Sequence, residues 1–511
     1  MSTDQKQYFR INLTPSGPVL AGTPSARLGQ VNLPVPLQTE QDVFAEWHWD
    51  GSQIVVRNCR LGFYPIFYYA TNTVFGVASS VEALLECGAP QDLDDSAMAV
   101  FLRLGWVLGE DTVFKSIRML PPGGEVRWSG GLPQVSGGIN FPKRQSLSRE
   151  AAIAGYGELF RQSVRRRASK AIPFGMPLSG GRDSRHILLE LNAIGCRPDL
   201  CFTNHDFPPY REENIRLGKE LAHRLGIPHR VFGQPGSRLL AEISKNRLNS
   251  YGAIENIWCV NLYPLVARYA PVVYEGIAGD VLSAGDYLNK EDVTLFEQGR
   301  LAELASKLID HWLSWRSSED ALSRILTDGA EKRFTRELAV ERIARELSRH
   351  TSAANPMTSF YFWNRTRRVA ALQPFAIAPA SGVTAITPYL DHDLVDFLNS
   401  LPAEMYLDQT FHTETIRKMH PEFNDIPYAG DIETPRIESN WHYRRFLFEA
   451  SAYIAVAGHG HLIDRYQNAR RLLALAVSHG NLRKRMTWMA PFTSVYLAQL
   501  ESTISRSRSK S

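Results

Sequence analysis

Short runs of β-branched and aromatic residues, separated by turn-forming residues, dominate the chain between positions 53 and 80. Their sequences are QIVVRNC, PIFYYAT and TVFGVAS, and Asn, Gly and Pro lie between them. This pattern predicts strands of a β-sheet. The next segment, VEALLECG, predicts a short helix that ends at Gly88, and the turn in LPPGGEVRW predicts a further strand.

Beyond about residue 145 the pattern of apolar positions changes. A polar stretch, PKRQSLSRE, precedes a long helical pattern that begins near Ala151. Apolar strand candidates in AIPFGMPLS, DLCFTNHD, HRVFG and PVVYEGIAGD then alternate with amphipathic segments such as RHILLELNAIG. This alternation predicts a parallel sheet with helices on both faces, and after about residue 290 the pattern is mostly helical.

These patterns predict an α/β protein with two domains. The first covers residues 1–145 and holds the strand-rich pattern. The second covers residues 146–500 and holds the parallel sheet with a helical part after it. Residues 501–511 end in SRSRSKS, a small, basic and polar sequence that predicts a disordered tail.

The composition is that of a soluble globular protein, with 44% hydrophobic and 22% charged residues in a chain of 511. A net charge of +4 is too small to indicate a nucleic-acid-binding protein. No apolar run is long enough to span a membrane, and the start MSTDQKQYFR lacks the apolar part of a signal peptide. The five scattered cysteines contain no CxxC pair and predict neither disulfides nor a zinc site, so we expect a cytoplasmic protein.

One polar turn carries candidate chemistry. In MPLSGGRDSRHILLEL the predicted strand ends at Leu178 and a helix begins near Asp183. Ligands of parallel α/β sheets bind beyond the carboxyl ends of the strands, and free N–H groups at a helix N-terminus attract phosphate. Gly180 and Gly181 permit positive φ angles and leave the backbone accessible, which suits a phosphate-binding loop.

The side chains of this turn leave two interpretations open. Ser179 and Ser184 add hydroxyl donors for a phosphate, whereas the Asp183 carboxylate would repel one unless Mg²⁺ lies between them. A plain helix N-cap also favours Ser, Gly and Asp, and the composition of the turn favours neither interpretation. A Walker A loop is excluded because no Gly-Lys-Ser or Gly-Lys-Thr occurs here.

Five segments carry a resemblance to one family, and one of them, FLRLGWVLGEDTVFKSIRMLPPGGEVRW, resembles part of the amino-terminal domain of asparagine synthetases. SGGRDS resembles the pyrophosphate loop SGGxDS of N-type ATP pyrophosphatases, and YEGIAGD lies where asparagine synthetases have their second pyrophosphate loop. RNCRLGFYPIFYY and TPYLDHDLVDFLNSLP resemble, in the same order, the amino-terminal domain and a helical segment of those enzymes. Because the match runs over most of residues 40–430, the chain is identified as a member of the asparagine synthetase family, which includes β-lactam synthetases, carbapenam synthetases and lasso-peptide cyclases.

The resemblance implies an amino-terminal α+β domain like that of N-terminal nucleophile hydrolases, a class II glutamine amidotransferase fold, and a second domain of the ATP pyrophosphatase type. In that family ATP activates a carboxylate as an acyl-adenylate, pyrophosphate leaves, and an amine then displaces AMP. The cofactors implied are ATP and Mg²⁺. The residues carried over by motif are Ser179, Gly180, Gly181 and Ser184 for pyrophosphate, Asp183 and Asp280 for magnesium, and Leu178, Phe202 and Gly276 for adenosine.

The departures from the family pattern point away from glutamine. Glutamine-hydrolysing members have a nucleophilic Cys at position 2, where this chain has Ser2, and the Arg-Gly-Pro-Asp segment that binds glutamine is absent. Serine could act as an N-terminal nucleophile, but the two departures together predict a degenerate glutaminase domain. Ile277 stands where asparagine synthetases carry Glu and β-lactam synthetases Tyr. No Lys lies between Lys418 and Lys484, and Arg436 is the candidate to replace the family's loop lysine.

Another base must therefore accept the proton of the acceptor amine. His205 is the first candidate because it follows a strand end, and Glu255 in AIENIW, expected on a helix, is the second. His392 and His412 are further options. The segment FYFWNRTRR at 360–368 predicts either a binding surface for an anionic or peptidic substrate, or a helix with an aromatic inner face and a basic outer face.

Three functions remain open from the sequence. The first is an AMP-forming amide ligase in natural-product or lasso-type peptide biosynthesis. Its substrates would be a small-molecule or peptide carboxylate and an amine acceptor. A precursor peptide is the expected partner, and binding to a membrane or to nucleic acid is not expected. The second is a glutamine-hydrolysing asparagine synthetase, against which Ser2 and Ile277 both argue. The third is a catalytically silent scaffold that binds nucleotide, against which the intact SGGRDS argues.

Overall fold

A computed structural model describes residues 7–30, 41–168, 172–234, 236–432 and 434–508. The amino-terminal part forms two antiparallel sheets, with strand orders β2-β1-β7-β6-β8 and β10-β9-β5-β4-β3. Its strands are β1 Tyr8–Thr14, β2 Gly17–Gly22, β3 Ser25–Gly29, β4 Phe44–Trp49, β5 Ile54–Asn58, β6 Phe67–Ala70, β7 Val74–Ala78, β8 Arg118–Met119, β9 Glu125–Trp128 and β10 Gln134–Ser136. Its helices are α1 Val81–Glu86 and α2 Asp95–Leu104.

The strands predicted between positions 53 and 80 are confirmed as β5, β6 and β7, and the strand after LPPGG is β9. Alternate residues of β4 and β5 are buried, so that Trp47 and Val56 lie in the core. The short helix α1 begins at its N-cap Ser80, whose side chain accepts a hydrogen bond from the Ala83 N–H. Gly88, which follows the helix, has a φ of +89°, so this position needs glycine.

The central part is a five-stranded parallel sheet of order β13-β12-β11-β14-β15 with helices packed on it. Its elements are α3 Arg149–Arg166, β11 Gly175–Pro177, α4 Arg182–Ala193, β12 Leu200–Asn204, α5 Glu213–Arg224, β13 His229–Phe232, α6 Arg238–Leu248, α7 Ile257–Val266, β14 Val272–Tyr274 and β15 Thr384–Ile386. The predicted parallel α/β sheet is therefore confirmed. The order of the strands reverses between β11 and β14, and such a switch point opens a crevice at the carboxyl ends of the strands.

The rest of the described chain is mainly helical, as predicted. The helices are α8 Lys290–Glu297, α9 Leu301–Ser314, α10 Glu319–Ile325, α11 Asp328–Arg333, α12 Arg336–Ser348, α13 Pro356–Tyr361, α14 His392–Ser400, α15 Phe411–Met419, α16 Asn440–Ala457, α17 Arg465–Val477, α18 Leu482–Met489 and α19 Pro491–Arg508. Polar N-cap side chains start many of them, for example Ser318 before α10 and Thr335 before α12. No helix in the described ranges is both long and apolar enough to cross a bilayer.

Two expectations about this region were wrong. The strand β15 was missed because it has only three residues, and it pairs in parallel with β14. The tail predicted as disordered from residue 501 continues helix α19 to Arg508, because this helix is held by tertiary packing of buried residues such as Tyr496 and Leu500. The domain boundary predicted at residue 145 stays a prediction.

The aromatic and basic segment at 360–368 joins the two sheet regions. Its aromatic side chains are buried as expected, but the basic outer face was wrong, because Arg367 and Arg368 are buried as well. Arg367 donates through Nε to the carbonyl of Gly62 at 2.9 Å and through Nη2 to that of Leu120 at 2.5 Å. Arg368 donates to the carbonyl of Asp111 at 2.7 Å. Such buried donors satisfy main-chain carbonyls where water has no access.

Candidate functional site

The candidate site is a cleft of about 450 Å³ at the carboxyl ends of β11, β12 and β14. The loop 178–181 after β11 and the loop 275–279 after β14 line it from the two sides of the switch point. Neighbouring parallel strands deliver both loops to the same edge of the sheet, which is why segments almost a hundred residues apart in the chain meet here. The lining includes most of the predicted nucleotide-binding residues, namely Leu178, Ser179, Gly181, Asp183, Ser184, Phe202, Gly276 and Asp280.

The loop SGGRDS holds itself open with internal hydrogen bonds. The Ser184 hydroxyl accepts from the Ser179 N–H at 3.2 Å, and the Ser179 hydroxyl accepts from the Gly181 N–H at 3.1 Å. Helix α4 starts after Gly181 without a side-chain N-cap hydrogen bond. The plain N-cap interpretation of this turn is therefore not supported, and the first N–H groups of α4 remain available for an anion.

The reason given for the glycines was wrong. Neither Gly180 nor Gly181 has a positive φ, and at Gly181 φ is −76°. Instead, the glycines of the two loops are required because a Cβ atom at these positions would collide with neighbouring atoms. A Cβ on Gly180 would lie 2.8 Å from Leu217 Cδ1, and a Cβ on Gly276 would lie 2.8 Å from the Asp183 Cβ. The backbones of the two loops thus pack directly against one another.

Gly279 gives a direct test of this close approach. A Cβ at Gly279 would lie 2.6 Å from the Asp183 Cγ, so Gly279→Ala forces the carboxylate out of its position. We expect the variant to keep its fold and to lose nucleotide-dependent pyrophosphate release by ~10²-fold, since a small misplacement of a reacting group has this effect. The control is Gly329→Ala, because Gly329 has open space around its Cβ position. Equal activity of both variants would show that Asp183 does not need its observed place.

Three carboxylates crowd the floor of the cleft. The Asp183 Oδ2 accepts the main-chain N–H of Asp280 at 3.1 Å, which locks the two loops together. Burial, and then repulsion from Asp280 and Asp286, raises the pKa of Asp183 well above its usual value. Burial also raises the pKa values of Asp280 and Asp286, and the neighbouring charge of Asp280 adds to the rise at Asp286. The cost of several anionic carboxylates in one buried place is high unless a cation joins them.

This arrangement fits a divalent cation. Carboxylate oxygens are the ligands that Mg²⁺ prefers, and Mg²⁺ is commonly held by one or two carboxylates together with substrate phosphates. Asp183 and Asp280, the predicted magnesium ligands, are in contact through the hydrogen bond above, and Asp286 is a third candidate that the motif did not include. Their roles stay a prediction.

His412 supports Asp183 from inside the protein. Its Nδ1 lies 3.6 Å from the Asp183 Oδ1, and its Nε2 lies 3.2 Å from the Tyr389 hydroxyl. The side chain is fully buried, and burial lowers its pKa to about 3, so the imidazole is neutral. His412 was an option for the acceptor base, but it has no access to the cleft and instead lies behind the carboxylate.

Two of the predicted adenosine residues, Leu178 and Phe202, lie on one wall of the cleft. The Leu178 N–H donates to the Phe202 carbonyl at 2.8 Å across β11 and β12, and both side chains are buried. Trp258 and Leu262 of α7 add apolar surface, and Gly276 lies opposite, on the β14 side. An apolar wall with main-chain groups at its edge suits a flat heterocycle.

The predicted catalytic residues are not among those that line the cleft. His205 follows β12, but its ring packs on Tyr210 with 4.1 Å between ring centroids. Glu255 precedes α7 rather than lying on a helix, and its Oε2 accepts from Arg365 at 2.8 Å. Arg436 is exposed on the loop after residue 433. None of the three lines the cleft, so the inference from a strand end to the cleft failed for His205 because its ring turns away.

Motif reasoning also missed two groups that do line the cleft. Arg182 supplies a cation beside the pyrophosphate loop, and its Nε donates to the Thr413 hydroxyl at 2.5 Å. Glu275 lies at the end of β14 with only 4% of its surface exposed. Both lie within the motifs SGGRDS and YEGIAGD, and the available signal was their position, Arg182 at the start of α4 and Glu275 directly after β14.

Comparisons with known proteins agree with the arrangement of the two sheet regions. The family model for asparagine synthase matches residues 155–420, more than half of the chain, and includes both loops of the cleft. The family model for a glutamine amidotransferase domain matches residues 40–133, within the antiparallel sheets. No curated protein matches the chain.

Proposed function

Because the chain belongs to the asparagine synthetase family of ATP-dependent carbon–nitrogen ligases, we propose that it is an AMP- and pyrophosphate-forming amide ligase. Its amino-terminal domain has the fold of N-terminal nucleophile hydrolases, and its second domain is of the ATP pyrophosphatase type. The proposal includes a role in natural-product or lasso-type peptide biosynthesis in the cytoplasm. The observation that carries the ligase chemistry is the contact between the SGGRDS loop and Asp280 at the switch point of the sheet.

In the first step a carboxylate oxygen of the substrate attacks the α-phosphorus of ATP. The bond between the α-phosphorus and the bridging oxygen breaks, and pyrophosphate leaves with the electron pair. Ser179, Ser184 and Arg182 line the cleft at the start of α4, and their hydroxyls and guanidinium, with the first N–H groups of the helix, would stabilise this negative charge. Asp183 and Asp280 would hold Mg²⁺, which supplies neutralisation of the phosphate charge.

In the second step an amine nitrogen attacks the activated carbonyl carbon. The amide C–N bond forms, the C–O bond to the phosphate breaks, AMP leaves, and one proton of the amine passes to a base. Ile277 lines the cleft where relatives carry a polar group, and it cannot take this proton. The apolar side chain also excludes water, which would hydrolyse the activated acid.

The experiment is an ATP–pyrophosphate exchange assay with a panel of small-molecule and peptide carboxylates. The proposal expects exchange that depends on one class of carboxylate and on Mg²⁺. Exchange should occur without glutamine. A protein that binds ATP but exchanges pyrophosphate with no member of a broad panel would be a scaffold and would contradict the proposal.

Glutamine-dependent asparagine synthesis is the second candidate, and the glutamine amidotransferase match favours it. Ser2, its only candidate nucleophile by position, lies outside the described residues. We expect the purified protein to release no glutamate from glutamine and Ser2→Ala to leave ligation unchanged, since the domain lacks the family's glutamine-binding segment. Glutamate release that disappears in Ser2→Ala would establish the second candidate.

A further inference from the structure

The acceptor-side base is missing from the positions that the family pattern suggests, yet the described lining of the cleft includes two carboxyl groups outside the metal set, the exposed Asp206 and the buried Glu275. Glu275 ends β14, and its N–H donates to the Ile386 carbonyl at 2.8 Å, which fixes the backbone at the sheet edge. The next residue, Gly276, packs against Asp183 of the pyrophosphate loop. Glu275 is thus adjacent in the chain to a residue that contacts the SGGRDS loop, and it lines the same cleft.

Two donors hold the Glu275 carboxyl in place. The Tyr263 hydroxyl donates to its Oε1, and the Gln373 Nε2 donates to its Oε2 at 2.7 Å. Gln373 also lies 3.1 Å from the Tyr263 hydroxyl, so the three groups form one rigid unit. A carboxylate offers about four lone-pair sites. Two of them accept these bonds, which leaves further sites for a group in the cleft.

The surroundings of Glu275 suit proton transfer at neutral pH. Burial raises its pKa to about 7, and the two hydrogen bonds oppose this rise only in part. The titratable groups that face it from α7 stay neutral, because burial raises the pKa values of Tyr263 and Cys259 well above their usual values. Across the cleft lie Asp183 and Asp280. A base that titrates near the working pH is the most effective kind.

We infer that Glu275 is the general base that accepts the proton of the acceptor amine, an inference that rests on the proposed ligase function. The amine proton moves to a Glu275 carboxyl oxygen as the nitrogen bonds to the activated carbonyl carbon, and AMP leaves with the electrons of the broken C–O bond. The residue that relatives use lies two positions later, at Ile277. The shift by two residues places the base at the strand end instead of inside the loop.

Glu275→Gln separates this role from binding, because Gln has the same size and cannot take the proton. We use the carboxylate that wild-type protein selects in pyrophosphate exchange, and two acceptors. Ammonium chloride supplies a weak acceptor whose protons a base must remove, and hydroxylamine supplies a stronger nucleophile that traps an acyl-adenylate without help from a base. Glu297→Gln, on the exposed face of α8, is the matched control, and His205→Ala tests the residue that the motif suggested.

We expect Glu275→Gln to keep pyrophosphate exchange and hydroxamate formation within a few-fold of wild type and to slow amide formation from ammonium ~10²- to 10⁴-fold. In wild type, the rate of amide formation per free ammonia, a measure that removes the effect of ammonium deprotonation, should rise as the pH increases through the raised pKa of Glu275. This rise should be absent in Glu275→Gln and present in Glu297→Gln.

Four results would overturn the inference. Glu275→Gln could form the amide at the wild-type rate. It could also lose ATP–pyrophosphate exchange, which would make Glu275 a nucleotide-binding residue. Amide formation could be lost in His205→Ala and retained in Glu275→Gln. The pH dependence of Glu275→Gln, per free ammonia, could match that of wild type, which would show that another group takes the proton. Absence of exchange with every carboxylate is a different result, and it contradicts the ligase function itself.

Discussion

Asp183→Asn is expected to reduce ATP–pyrophosphate exchange by ~10²- to 10³-fold, because it removes a charge that holds the cation against the phosphates. Asp280→Asn should behave alike, and the double variant should be little worse, since residues that act as a unit are not additive. The matched control is Asp425→Asn, whose side chain is exposed and pairs with Arg224 at the surface. Normal turnover by Asp183→Asn would show that the SGGRDS loop does not bind pyrophosphate.

The same variant has a second signature that needs no substrate. The folded-state pKa of Asp183 is raised, so the folded protein holds this proton more tightly than the unfolded chain does. A raised carboxyl pKa lowers stability as the pH rises above the unfolded value of about 4, because the buried charge must then form. In the absence of Mg²⁺ at neutral pH, we therefore expect Asp183→Asn to melt at a higher temperature than wild type. Mg²⁺ with ATP should remove this advantage, and thermal melts with and without them are the measurement.

Arg367→Met is expected to give the largest loss of stability, about 3 kcal/mol or more. The carbonyls of Gly62 and Leu120 accept from Arg367 and would be left buried without that donor, and an unsatisfied buried group costs about 1–3 kcal/mol. Met fills a similar volume, so the loss reports the hydrogen bonds rather than a cavity. Chemical denaturation measures the free energy of unfolding.

The control for Arg367 is an arginine on the surface. Arg345 pairs with Glu341 along α12, and its side chain is 63% exposed. We expect Arg345→Met to change the free energy of unfolding by less than about 0.5 kcal/mol. Equal stability of the two variants would contradict the role of Arg367 as the donor that joins the helical part to the antiparallel sheets.

The placement of the two loops that line the cleft could largely be predicted from the sequence. A strand, a loop and a helix are local structures, so SGGRDS could be placed at the end of β11 from the pattern around it alone. Asp280, in contrast, was implied only by the resemblance of YEGIAGD to the second loop of the family. The two loops meet because parallel strands bring their carboxyl ends to one edge, which is a rule of the fold and not of the residues.

The acceptor half could not be predicted, because it depends on side-chain direction and burial. His205 follows a strand end as expected, yet its ring packs against Tyr210. The raised pKa of Glu275 comes from burial between Tyr263 and Gln373, and Gln373 lies almost a hundred residues away in the chain. The burial of Arg367 could not be predicted for the same reason. A charged residue in a basic segment is expected at the protein surface, and the carbonyls that bind Arg367 are known only from the structure.

The central claim is that the chain activates a carboxylate as its adenylate, and the fate of the carboxylate oxygen tests it most directly. The measurement is mass spectrometry of the nucleotide product after a complete reaction with a carboxylate labelled with heavy oxygen. The account predicts AMP that carries one labelled oxygen from the substrate, because the carboxylate oxygen bonds to the α-phosphorus and stays there when the amine displaces AMP. Unlabelled AMP, or ADP with the label in inorganic phosphate, would contradict it.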